Sequence, residues 1–148
     1  MCFGAGERRR DFAGLISFGA FLIVVAITFL ANPNMVSDFQ LWIERVTSEN
    51  ILLRPSQGLI TSATVFFGLI GLSNFLVAGV RFKLDKATRR AFADILSGMA
   101  LLLFSYLIYL YGSYALAWQM VLTIQIVAIG LLVILYGVVV HLFLKKFQ

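Results

Sequence analysis

Residues 95–144 run for fifty positions without an aspartate, glutamate, lysine or arginine. One membrane crossing takes about 20 apolar residues, so a run of this length has to hold two. Gly112 and Ser113 mark the turn between them. Residues 12–31 and 56–80 are each apolar enough for one more crossing. The whole chain is 61% hydrophobic and 13% charged, with a mean hydropathy of +0.95, well outside the range of a soluble domain. The expected fold class is an all-α integral membrane protein, a four-transmembrane-helix bundle in one membrane domain over residues 1–148. Its spans are expected near 12–31, 56–80, 91–111 and 116–144.

Local punctuation agrees with these limits. Asn32-Pro33 closes the first span, because proline disfavours helical geometry in the residue before it. Arg9-Arg10-Asp11-Phe12 resembles the arginine pair of an export signal. The following apolar run is longer than a signal core, and Phe29-Leu30-Ala31 is a poor cleavage site, so the segment is expected to remain as a span.

Residues 34–50 form the only substantial segment expected outside the crossings. Met35, Val36, Phe39, Trp42, Ile43 and Val46 fall on one face at helical spacing, with Ser37, Asp38, Glu44, Arg45 and Ser48 opposite. This predicts an amphipathic helix between the first and second spans, lying on lipid or docking a partner. Met35, Phe39, Trp42, Ile43 and Val46 are its candidate contact residues.

The charged segment 81–94 separates the first two spans from the last two. With four crossings, Arg8, Arg9, Arg10, Arg81, Lys83, Lys86, Arg89, Arg90, Lys145 and Lys146 all fall on one side, leaving Arg45 and Arg54 on the other. The positive-inside rule then places both termini in the cytoplasm and the protein in the cell membrane. That asymmetry accounts for the net charge of +5, so no nucleic-acid partner is inferred. Tyr106, Tyr109, Tyr111, Tyr114 and Trp118 cluster at the opposite interface as an aromatic belt.

Arg9-Arg10-Asp11-Phe12-Ala13 matches Arg89-Arg90-Ala91-Phe92-Ala93. Weaker matches pair the second span with the fourth, among them Gly68 with Gly130 and Lys83 with Lys145. Together they suggest an internal repeat: two tandem helical hairpins in parallel orientation, related by a pseudo-two-fold axis along the membrane normal.

No catalytic, cofactor-binding or metal-binding constellation is visible. The single cysteine, Cys2, excludes an internal disulfide, and the single histidine, His141, has no second histidine with which to make a metal site. Acidic residues lie outside the expected hydrocarbon region, whereas proton-coupled transporters and intramembrane enzymes place an ionisable group at depth. The candidates that remain are of other kinds. Ala63, Gly71 and Gly79 recur every eight residues as a helix-packing stripe. Asn74 and Gln125 are the embedded amides, with Asn74 expected nearer the cationic side. Arg89 and Arg90 are placed to contact lipid phosphates.

These features suggest a non-enzymatic scaffold or accessory subunit in the bilayer, acting as a homo-oligomer or with a membrane-protein partner. The alternatives are a homo-oligomeric pore or carrier for a small uncharged solute, and an interfacial lipid-binding protein.

Overall fold

A computed structural model describes residues 5–49, 54–85 and 88–142. Cys2, Lys86, Lys145 and Lys146 lie outside the described residues. All the regular structure within them is helical: α1 (Ala5–Ala31), α2 (Met35–Glu49), α3 (Gln57–Val80), α4 (Thr88–Gly112) and α5 (Trp118–Leu142), with a π-helical turn at Arg81–Asp85 extending α3. Four of these helices, all but α2, are long and apolar enough to cross a membrane.

The helix ends follow from their sequences. The last turn of α1 closes with Asn32 N–H donating to the Thr28 carbonyl at 3.2 Å, and Pro33 follows with no N–H to continue the ladder. Asn34 opens α2, its carbonyl accepting from Asp38 N–H at 2.9 Å. Ser56 caps α3, its hydroxyl oxygen accepting from Leu59 N–H at 3.3 Å.

The turn after α4 begins at Ser113, directly after Gly112, where the sequence marks it. The left-handed residue there is Tyr114, at φ 62°. Such a backbone costs a non-glycine residue about 1–2 kcal/mol. The Arg54 guanidinium lies 3.5 Å from the Tyr114 ring centroid and so helps hold the residue in place. Gly112 also serves close packing: a Cβ there would stand 2.7 Å from Ile60 Cγ2.

The packing order is α1–α3–α4–α5, with each neighbour antiparallel to the next. Antiparallel pairing of α3 and α4 is fixed by Ile60 against Gly112, Gly71 against Gly98, and Arg81 against Asp94. On the other side of α3, Phe66 meets Phe21 of α1 edge-on at 6.5 Å, and Gly58 lies against Asn32. On the other side of α4, Phe92 stacks with Tyr136 of α5 at 6.3 Å.

The α3–α4 seam is the tightest part of the molecule. A Cβ on Gly71 would stand 3.0 Å from the Gly98 carbonyl oxygen, and one on Gly98 would stand 2.9 Å from the Gly71 carbonyl oxygen. Along α4, Ala91, Gly98, Ser105 and Gly112 recur every seven residues and all are buried. On α3 they face Ala78, Gly71, Thr64 and the first turn. The Ser105 hydroxyl donates to the Thr64 carbonyl at 2.7 Å. Small residues at a spacing of seven give the shallow left-handed crossing of two closely packed helices. Gly71 belongs to this seam and Ala63 is half-buried, but Gly79 is exposed, with open space where a Cβ would sit. The seam therefore recurs every seven residues rather than every eight.

A two-fold axis relating α1 and α3 to α4 and α5 would map the α3–α4 seam onto an equal seam between α5 and α1. Among the described residues no comparable α5–α1 packing exists. Of the residues of α5, Val121 alone is buried.

Gly98→Leu is expected to destabilise the fold by about 3 kcal/mol, since neither backbone at the crossing can move without separating the helices. Gly79→Ala should be neutral or stabilising by up to about 1 kcal/mol, through helix propensity in open space. Thermal unfolding of the two variants side by side checks the difference; equal effects would remove the seam from this role.

Candidate functional site

A groove of about 710 Å³ lies between α4 and α5. Ala93, Leu96, Ser97, Ala100, Leu101 and Phe104 wall it from α4, and Leu122, Gln125, Ile129, Leu132, Val133 and Tyr136 from α5, with Phe67 of α3 behind. Both sets repeat at three- and four-residue intervals, so each is one continuous helical face. The groove exists because α4 presents its small residues to α3. Its other face carries Leu96, Leu101 and Phe104, which hold α5 at a distance.

Gln125 crosses the middle of this groove. Its Nε2 donates to the Ala100 carbonyl at 3.1 Å, at the midpoint of α4. That carbonyl can only accept, so the amide orientation is determined and Oε1 must point away from it. Oε1 is fully buried and has no hydrogen-bond partner among the described residues. Asn74 does not meet Gln125. Its Nδ2 donates to the Ser97 hydroxyl at 3.1 Å, and that hydroxyl donates to the Asp94 carbonyl at 2.9 Å. Ser97 and Ala100 are three residues apart, so the amides reach α4 about one turn, roughly 4.5 Å, from each other. Asn74 is the one nearer the cationic end.

At that cationic end, Arg81 Nη1 lies 2.9 Å and 2.7 Å from the two carboxylate oxygens of Asp94, with side-chain exposures of 27% and 21%. The pairing is only weakly marked in the sequence. Asp94, within the span expected at 91–111, stands in the second turn of α4 and is paired with the cation that follows α3. Arg89 and Arg90 are exposed in the first turn of the same helix. A second apolar cavity of about 660 Å³ lies between the end of α3 and the start of α4, with Gly79, Lys83 and Thr88 among its walls.

At the opposite end, Arg54 lies over the rings of Tyr111 and Tyr114, 4.5 Å and 3.5 Å from their centroids, and donates to the Tyr111 carbonyl. The Tyr111 carbonyl also accepts from Tyr114 N–H at 3.2 Å, and the added cation has the favourable sign for that helix terminus. Asn32 Nδ2 donates to Asp38 Oδ2 at 3.3 Å. Both groups press on Gly58, where a Cβ would fall 2.9 Å from Asp38 Oδ2. Helix α2 thus turns Asp38, Leu41, Trp42 and Arg45 towards a small cavity of about 260 Å³ shared with Arg54 and Ser56. Of its expected contact residues, Phe39 and Ile43 are exposed, while Met35, Trp42 and Val46 are half-buried.

Several of these features were missed in the sequence. The seven-residue recurrence from Ala91 to Gly112 was visible and would have located the seam. The Arg81–Asp94 pair had only a weak signal, opposite charges flanking a short connection. Among the described residues there is no group of three or more His, Cys, Asp or Glu side chains able to hold a metal ion. No protein-family model, curated protein or solved structure matches the chain.

Gln125→Leu is a test of the orphaned oxygen. The interhelical bond it removes contributes about 0.6 kcal/mol, whereas an unsatisfied buried acceptor costs about 1–3 kcal/mol. The variant is therefore expected to be neutral or more stable in thermal unfolding. A clear loss of stability would mean that Oε1 has a donor in the working protein.

Proposed function

We propose that this chain is a multi-pass membrane protein acting as a scaffold or accessory subunit, assembling through the flanks formed by α1 and α5. The observation that carries this reading is the unequal packing. Among the described residues the α3–α4 seam has no α5–α1 counterpart, and both outer helices expose large apolar side chains such as Ile23, Leu30, Ile126 and Ile134. In the tandem-hairpin arrangement suggested by the repeat, the missing seam would be supplied by a second copy or by a helix of a membrane-protein partner. Membrane helices associate by such packing, because lipid offers no hydrophobic drive of its own.

The four apolar helices alternate in direction, so the start of α1, the Arg81–Asp94 segment and the end of α5 share one end. With Arg81, Lys83, Arg89 and Arg90 there, the positive-inside rule supports a cytoplasmic location for that end and for both termini. The amphipathic α2, with Val36, Phe39, Leu41 and Ile43 exposed, then lies at the outer interface, against lipid or a partner.

A pore or solute carrier is less well supported by the same geometry. It would need the embedded hydroxyls to form one connected polar face. Thr28 donates to Val24, Ser62 to Gly58, Thr64 to Ile60, Ser73 to Ile70 and Thr123 to Gln119, each to a carbonyl of its own helix. Hydroxyls satisfied in this way offer little to a passing solute. The reading is accordingly of a non-enzymatic role without a cofactor.

A reporter fused after Gln148 is expected to be cytoplasmic; an external reporter would overturn the four-span topology. Native mass spectrometry of gently extracted protein is expected to find a defined homo-oligomer or a stoichiometric membrane-protein partner. A monomer free of both would overturn the scaffold reading.

A further inference from the structure

The groove between α4 and α5 ends beside a pair of cations. Its α4 wall steps through Ala93, Leu96, Ser97, Ala100, Leu101 and Phe104. Continuing that spacing towards the start of the helix, three and four residues before Ala93, reaches Arg90 and Arg89, both exposed. The two arginines thus stand on the extension of the groove, one turn beyond its mouth. The nearby carboxylate, Asp94, is already paired with Arg81 at 2.7 Å and does not neutralise them.

We infer that the α4–α5 groove binds an anionic phospholipid from the leaflet at the cationic end, one acyl chain lying between the helices and the phosphate resting on Arg89 and Arg90. This rests on the membrane reading above but not on the scaffold role. Length agrees: Ala93 to Phe104 spans about 16 Å of helix, close to the roughly 15 Å that half of a bilayer hydrocarbon core provides. Volume agrees as well. A transmembrane helix of the same length, about 10 Å across, would fill about 1,300 Å³, whereas the groove offers about 710 Å³, within the range of small-ligand sites. The surface presented to the chain is apolar, since the Gln125 amide is bonded to the Ala100 carbonyl and its oxygen is buried beneath the wall. Phe92 of α4 stacks on Tyr136 of α5 at 6.3 Å, so the two helices are joined towards the cationic end of the groove. Two guanidinium groups supply charge and forked donors suited to phosphate oxygens.

The test uses the full chain reconstituted in vesicles of phosphatidylcholine doped with a photoactivatable phosphatidylglycerol, its diazirine placed mid-chain, and the matching phosphatidylcholine probe in parallel. Crosslinked peptides are mapped by mass spectrometry. The expected result is labelling by the anionic probe concentrated on 93–104 and 122–136, exceeding labelling by the neutral probe. R89Q and R90Q should each lower it by about fivefold, and R45Q, at the other end of the molecule, should leave it unchanged. Because Arg89 and Arg90 are exposed, thermal unfolding of these variants should match that of the parent. Leu132→Trp, which fills the groove from α5, should abolish labelling of 93–104 while leaving Arg89 and Arg90 in place. Equal labelling by both probes, or labelling spread evenly over α1 and the outer face of α5, would overturn the site. Failure of the protein to float with the vesicles would instead overturn the membrane reading itself.

Discussion

Everything else in the molecule is hung on the contact between Gly71 and Gly98. Two backbones approach there so closely that a Cβ on either glycine would stand 3.0 Å or less from the other's carbonyl oxygen, closer than a methyl group can pack. In a low-dielectric setting, where apolar side chains gain nothing by leaving the surrounding medium, close backbone approach is what makes one helix prefer another. The seven-residue recurrence of Ala91, Gly98, Ser105 and Gly112 extends that approach along the whole of α4. The Ser105 hydroxyl on the Thr64 carbonyl then adds a directional bond to a seam that is otherwise dispersion.

The seam also decides what happens around it. A helix has a limited circumference, and α4 gives its small side to α3. Its opposite side mixes Ala93, Ser97 and Ala100 with the bulkier Leu96, Leu101 and Phe104, and α5 is held by a ring stack at one end and an amide bond at the middle. The groove is the geometric remainder of the tight packing on the other side. On α3, the face away from α4 is met by α1 through Phe66 and Phe21. The result is a firm central pair with two loosely attached flanks.

Both ends of the central pair are closed by arginine, but by different means. Arg81 at the end of α3 reaches a carboxylate on α4, and the π-helical turn that begins at this residue carries the chain out of the helix. Arg54 before α3 reaches two aromatic rings and a carbonyl at the end of α4. The first closure is an ion pair with about a quarter of each side chain exposed. The second places a cation at the negative end of the α4 dipole, and it accompanies the left-handed Tyr114. Together they connect the two ends of the α3–α4 pair without placing an unpaired charge at its centre.

Legibility in the sequence divided along a physical line. Which stretches are long and apolar enough to cross a membrane, and that residues 34–50 carry an amphipathic pattern, depend on composition and periodicity, which are local quantities read directly from the chain. Gly71 as a packing residue was legible for the same reason, but Gly79 was placed on the same stripe because small residues alone do not reveal which period the partner helix imposes. That period belongs to the pair. Gly112 marks the end of α4 as the sequence indicates, but that its glycine also faces Ile60 across the seam, and that the turn's left-handed residue is Tyr114 beside a cation 60 positions earlier in the chain, are not written in the local sequence. The pairing of Arg81 with Asp94, the separate partners of Asn74 and Gln125, and the groove between α4 and α5 were likewise decided only by the tertiary structure. Each depends on the rotation of one helix about its axis relative to another, and in a sequence where nearly every face is apolar no local pattern records that rotation.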